Sequence, residues 1–260
     1  MMKKPALALV LTLAGGCLGA SPMAFAQTVE APRPYTVELS SDNQRLSNNS
    51  PDWQETTLRL NRSLAQRQLV EVSLVQSNRF GLRDEQLQAV YVHPLTDKLG
   101  ATLDASFSPT HNFLAQRSLG MTLNYEFAPA WLVYVGAKNT QYNDASVDQG
   151  LLMVERYFGS FSAAAAWRPV RAFGTSTSSQ ELRGSYYYGD KNVVGLILSS
   201  GQEAAQISST QIALADVKST ALTGRHWVSR DWAFTYALNS TRQGDFYTRN
   251  GLRIGVQYIF

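Results

Sequence analysis

The feature that constrains this chain most is a two-residue alternation held over segments of about ten residues. In "LGATLDASFS", Leu99, Ala101, Leu103, Ala105 and Phe107 point one way, and Gly100, Thr102, Asp104, Ser106 and Ser108 point the other. In "SLGMTLNYEF", Leu119, Met121, Leu123, Tyr125 and Phe127 oppose Ser118, Gly120, Thr122, Asn124 and Glu126. The last segment, "NGLRIGVQYIF", sets Leu252, Ile254, Val256, Tyr258 and Phe260 against Gly251, Arg253, Gly255, Gln257 and Ile259. Extended strands send successive side chains to opposite faces, so a period of two is strand spacing and not helix spacing.

The pattern, in places weaker, predicts strands at 35–46, 54–64, 69–79, 85–94, 99–108, 118–127, 130–140, 149–158, 161–169, 181–189, 192–199, 218–228, 232–240 and 250–260. Ten residues at about 3.3 Å each, tilted near 45°, rise about 24 Å, the height of the apolar band of a membrane barrel. Every backbone donor and acceptor needs a partner in lipid, so such a sheet must close. The expected fold is all-β: a transmembrane antiparallel up-and-down β-barrel of about 14 strands over residues 35–260. Twelve and sixteen are the alternatives, because 200–217 is long enough to hold another strand pair.

The connections are expected to alternate in length. "SLAQR", "HPLTDK", "APA", "FGS", "GDK" and "SRD" are short; "RLSNNSPDW", "SNRFGLRD", "SPTHNFLAQR", "NTQYNDASVD", "RPVRAFGTSTSSQ", 200–217 and "NSTRQGDFYTRN" are longer. Tight periplasmic turns and extended outer loops alternate in this way. Two aromatic girdles are expected at the headgroup levels. One would hold Tyr35, Tyr91, Phe127, Trp131, Tyr157, Phe158, Trp227, Trp232, Tyr258 and Phe260 near the short turns. The other would hold Trp53, Phe80, Phe107, Phe113, Tyr142, Phe173 and Phe246 near the long loops. "LLMVERYF" is apolar on both faces, and one of Glu155 and Arg156 must face outward unless a bulge intervenes. Arg156 is close enough to a turn to snorkel to the interface.

The amino terminus reads as a targeting segment. "MMKKPALALVLTLAGG" has two lysines, an apolar stretch and then small residues, the layout of a secretory signal peptide. "AGGC" at Ala14–Cys17 is a poor lipoprotein box; "AFA" at Ala24–Ala26 suits ordinary signal peptidase and gives a leader of 1–26 and a short periplasmic lead of 27–34. Cleavage there discards Cys17, the only cysteine, and with it any disulfide or thiolate chemistry. It also removes Lys3 and Lys4 and no acid, so the net charge falls from +3 to +1. Near-neutrality with mixed charges argues against a nucleic-acid partner.

"FSPTHNFLAQRSLGMTLNYEF", "YNDASVDQGLLMVERYFGSFSAAAAWR" and "YTVELSSDNQRLSNNSPDWQETTLRL" resemble the YaiO family of outer-membrane barrels, from about residue 35 onward. That resemblance implies a bacterial outer-membrane location and supports fold more than mechanism. Val256, Tyr258 and Phe260 resemble the terminal signal read by the barrel-assembly machinery, which makes that machinery and outer-membrane lipids the expected partners.

Chemical signatures are sparse. His93 precedes Pro94 in a turn, His111 is in "SPTHNF" with Ser108 three residues away, and His226 lies between Arg225 and Trp227. No G-x-S-x-G and no zinc-type histidine pair occurs, so neither an enzyme nor a metal or other cofactor is expected. A lipid hydrolase or acyltransferase is the minor alternative. The lumen instead should receive Glu38, Arg59, Glu71, Asp104, Glu126, Arg183 and Arg253. These would either line a pore for small polar solutes or surface glycan, or form a plug of ion pairs in a closed structural barrel. Eight strands are filled by their own side chains and sixteen leave a channel, so fourteen falls between. The small inward residues are expected to leave some open space.

Overall fold

A computed structural model describes residues 35–206 and 211–260, with side chains described except at 205–206. The leader (1–26) and lead (27–34) expected from the sequence lie outside the described residues. Fourteen strands follow one another: β1 (Tyr35–Leu46), β2 (Trp53–Ala65), β3 (Gln68–Arg79), β4 (Leu82–Pro94), β5 (Leu99–Phe107), β6 (Arg117–Ala128) and β7 (Trp131–Gln141), then β8 (Ser146–Phe158), β9 (Phe161–Ala172), β10 (Thr175–Tyr188), β11 (Asn192–Gln206), β12 (Ile212–Trp227), β13 (Trp232–Gln243) and β14 (Tyr247–Ile259). Each pairs antiparallel with its sequence neighbours, and β1 pairs with β14 to close the ring. At that seam Thr36 is opposite Ile259 and Leu46 opposite Arg249. Tyr35 and Phe260 exchange backbone bonds of 3.4 and 3.1 Å, and their rings stack at 5.6 Å.

The alternation read from the sequence is the in–out alternation of this wall. Leu119, Met121, Leu123 and Tyr125 of β6 are exposed on the outside, and Ser118 and Asn124 are buried within. β8 resolves as expected without a bulge: Glu155 faces in, and Arg156 faces out beside the 159–160 turn with its guanidinium 4.9 Å from the Trp131 ring centre. Leu151 and Met153 face inward and pack with Leu132, Tyr134 and Ala166, which explains an apolar run on both sides of the strand.

The expected sorting of connections by length is largely lost, because the strands continue into most of the predicted outer loops. "SNRFGLRD" is a hairpin turning on residues 80–81, and "RPVRAFGTSTSSQ" one turning on 173–174. Both central residues have positive φ, 54° and 75° at Phe80 and Gly81, 52° and 72° at Phe173 and Gly174. That is the primed turn that matches strand twist. The stretch 200–217 lengthens β11 and β12 and adds no strand pair among the described residues. Outward side chains near the outer ends are polar, including Gln54, Glu85, Asp148, Arg171, Asp216, Lys218 and Arg242, so the wall there stands in water above the lipid.

One strand leaves the cylinder. Beyond Gly201, β11 pairs only with β12, while Thr175–Ser178 of β10 pair only with β9. Gly201 has φ +151°, and a Cβ there would overlap the backbone of Ser178 and Ser179. The hairpin end bends inward, and Ala204 and Leu214 pack against Val147, Val170 and Ala172.

The aromatic positions need one correction. The periplasmic rim carries an outward belt in which Phe158, Phe161, Tyr186 and Tyr188 follow one another at centroid distances of 4.9–6.0 Å, and Trp232, Tyr258 and Phe260 at 4.6–5.8 Å. Tyr157 and Trp227 of the predicted set face the lumen instead. At the outer rim only Phe107, Phe173 and Phe246 are exposed; Trp53 and Phe113 are buried, Phe80 packs against Trp53, and Tyr142 packs against the Val147 cluster. Where the wall has already left the lipid, an aromatic ring gains more by covering the lumen than by facing water.

Candidate functional site

All seven residues predicted for the lumen lie on inward positions. They do not form one site. Arg59 lies between two acids, 3.6 Å from Glu38 and 3.1 Å from Glu71, tying β1, β2 and β3 together. Asp104 pairs with Lys138 across β6. Gly120 sits in register between them, and a Cβ there would overlap the Asp104 carboxylate. Arg183 pairs with Glu181, which is also 3.5 Å from Arg168. Arg253 is 3.9 Å from Glu55 and donates to Thr57 Oγ1 at 3.4 Å. Glu126 accepts from the backbone N–H of Ala130 at 3.3 Å and braces a periplasmic turn.

The small inward residues do not leave open space as expected. A Cβ at Gly251 would stand 2.6 Å from the Asn239 amide, and one at Gly100 would stand 2.7 Å from that of Asn124. These glycines let neighbouring polar side chains lie flat along the wall, as Gly120 does for Asp104.

The sequence reading missed Glu55, Arg79, Asp84, Glu155, Arg168, Arg225 and Arg249, which share the inward parity. For Glu55, Glu155 and Arg225 the signal was the alternation inside the predicted strands; for Arg79 and Arg168 it was at strand ends, and for Asp84 and Arg249 it ran past the strand ends into predicted loops. With them included, the charges separate around the ring. On β9–β14 Arg168, Arg183, Arg225, Arg249 and Arg253 face inward against Glu181 and, just past the bend at Gly201, Glu203, which lies close enough to act on Arg168. On β1–β8 the inward acids are Glu38, Asp42, Glu55, Glu71, Asp84, Asp104, Glu126 and Glu155, against Arg59, Arg79 and Lys138. One arc of the lumen is basic and the other acidic, so a field crosses the axis.

At the outer mouth, charge meets aromatic surface. Arg79 from β3 and Arg249 from β14 approach the buried Trp53 ring, at 4.6 and 4.7 Å from its centre, and Tyr247 packs edge-on at 5.9 Å. Arg79 is also 3.4 Å from Glu55 and 5.6 Å from the Phe113 ring.

The histidines are not arranged as hydrolase centres. His111 Nδ1 faces the Ser108 carbonyl oxygen at 3.3 Å, not its hydroxyl. His93 stacks on Tyr91 at 5.7 Å beside a turn. His226 is on the outer wall, hydrogen-bonded to Tyr188 and, at 3.2 Å, to Tyr236.

Several solved barrels share this fold. The CymD monoaromatic hydrocarbon channel aligns over 87% of this chain and 88% of its own at 12% identity, with a TM-score of 0.58. Omp33 of Acinetobacter baumannii aligns over 88% and 99% at 11% identity, TM-score 0.54. The translocator domain of the autotransporter NalP from Neisseria meningitidis aligns over 89% and 90% at 8% identity, TM-score 0.51. At such identities the likeness is one of fold. No curated protein sequence matches. The YaiO membrane beta barrel domain matches residues 35–206, from the first strand to the end of β11, and the chain belongs to that family of membrane barrels.

Proposed function

We propose that the protein is a narrow conduit for small polar solutes, or for surface glycan, across the bacterial outer membrane, and that it is not an enzyme. The charge separation within the lumen carries this reading. A ring of fourteen strands lies between the eight that fill their own interior and the sixteen that leave a channel. Opposed arcs of net charge orient a dipolar solute in the passage, beside the individual ion pairs that stiffen the wall. CymD, a barrel of the same fold, is a monoaromatic hydrocarbon channel, which is consistent with this reading.

A second reading, a closed barrel that serves structure or assembly, draws on how deeply some inward side chains are covered. Tyr134 has no exposed surface and donates to Glu155 at 2.9 Å. Purified protein in planar bilayers separates the two. A conduit gives discrete single-channel steps in potassium chloride, and silence at all applied voltages favours the closed barrel.

Delivery through a leader cleaved after Ala26 and assembly through Val256, Tyr258 and Phe260 complete the proposal. These three terminal residues lie on the lipid face beside the seam. Phe260→Ser is expected to lower the amount assembled in the outer membrane several-fold and to leave export to the periplasm unchanged. Normal membrane levels of this variant overturn the role given to the terminus.

A further inference from the structure

The 108–116 connection between β5 and β6 carries three buried residues, Ser108, Phe113 and Ala115. A loop above a membrane barrel usually faces water, so something must hold this one down. That group is Asp84, an inward residue at the outer end of β4 with 0% exposure. Its Oδ1 accepts from the Asn112 backbone N–H at 3.0 Å and from the Asn112 side-chain amide at 2.8 Å. Its Oδ2 accepts from the backbone N–H groups of Phe113 at 2.8 Å and Leu114 at 2.9 Å. One carboxylate thus fixes three consecutive loop residues with charge-assisted bonds. Asn143, from the 142–145 connection, donates to the His111 carbonyl at 2.8 Å and steadies the far side of the loop.

The loop so held lays Phe113 against Arg79, whose guanidinium lies over Trp53 with Arg249 reaching the same ring from β14. Phe113, Trp53, Arg249 and Arg79 with its partner Glu55 therefore form one layer at the outer mouth. Resting on the conduit reading, we propose that this layer is the selectivity constriction, that it favours small anionic solutes, and that Asp84 is its positioning residue. Glu55, 3.4 Å from Arg79, offsets part of the charge, and two guanidiniums against this one paired carboxylate leave the layer net positive, which sets the charge preference. Phe113 sets the width. Asp84 touches no solute and acts through the loop alone.

Two measurements on the full chain test this. In planar bilayers with potassium chloride, Phe113→Ala and Asp84→Ala are each expected to raise single-channel conductance about two-fold by widening the mouth. Arg79→Gln combined with Arg249→Gln is expected to move the reversal potential in a salt gradient toward potassium selectivity. Unchanged conductance in both single variants, or an unchanged reversal potential, overturns the constriction. Phe113 lies in a loop off the wall, so its variant keeps the test valid if Asp84→Ala fails to assemble.

The second measurement does not depend on conduction. Cys17 is the only cysteine in the sequence and lies in the leader, so Ala115→Cys introduces a unique thiol in the assembled protein. Maleimide labelling at that thiol is expected to speed up about ten-fold when Asp84→Ala is added, because the latch bonds are lost. Equal rates with and without Asp84 overturn the latch. Faster labelling in a protein that never conducts keeps the latch and overturns the conduit reading on which selectivity rests.

Discussion

The same pair of side chains, tryptophan with arginine, occurs on both surfaces of this wall. Near the periplasmic rim Arg156 lies over Trp131 on the lipid side. Near the outer rim Arg79 and Arg249 lie over Trp53 on the lumen side. Contact distances are alike, 4.9 Å in the first case and 4.6 and 4.7 Å in the second. The surroundings are not. Trp131 is half-buried at headgroup level, whereas Trp53 is 3% exposed and packed against Leu46, Tyr247 and Phe80. The first pair is an anchor whose partner is the membrane. The second is packing, and its partner is the rest of the protein.

The largest effect should come from the lumen side. Trp53→Ala removes the ring that two guanidiniums approach and empties a packed layer, costing about 3–5 kcal/mol by the usual range for a buried tryptophan. Urea titration of the barrel folded in lipid bilayers measures this, and the loss should be the same in lipids of different headgroup. Placing a charge on the lipid side should come next. Val135 faces outward in the middle of β7, and Val135→Arg is expected to cost about 2–4 kcal/mol in the same titration. A much smaller loss would mean that this surface does not meet hydrocarbon. Trp131→Ala should lose only about 1 kcal/mol, and unlike Trp53→Ala its loss should change with headgroup chemistry. Equal losses at Trp53 and Trp131, with equal lipid dependence, would erase the distinction between the two surfaces.

Much of this was legible in the sequence, for a specific reason. Hydrocarbon on one side and polar groups on the other impose a period of two that no soluble helix mimics. Strand number, facing and the inward parity of Glu38 or Arg253 could therefore be read directly. The connections could not. Above the lipid the outward residues turn polar, so strands such as Thr175–Tyr188 stop alternating and look like loop while their backbone pairing continues. The Phe-Gly steps at 80–81 and 173–174 were available as turn signals, with glycine at a position that needs positive φ. The Asp84 latch was not legible, because its partners are 28 to 30 residues away and it belongs to a strand end taken as loop. Nor did the glycines of the lumen declare their purpose. Gly120 reads as vacant space until Asp104 and Lys138 are seen to meet over it.

The bonds between Tyr35 and Phe260 also bear on how such a wall is made. Every other pairing joins strands that are adjacent in the chain and can form as soon as both exist. This one waits for thirteen hairpin steps, and its cost in chain freedom grows with the length of polypeptide between its ends. Until it forms, two rows of N–H and C=O groups stand open, which hydrocarbon cannot satisfy. The last zipper to shut is thus the one that decides whether the sheet can live in a bilayer at all.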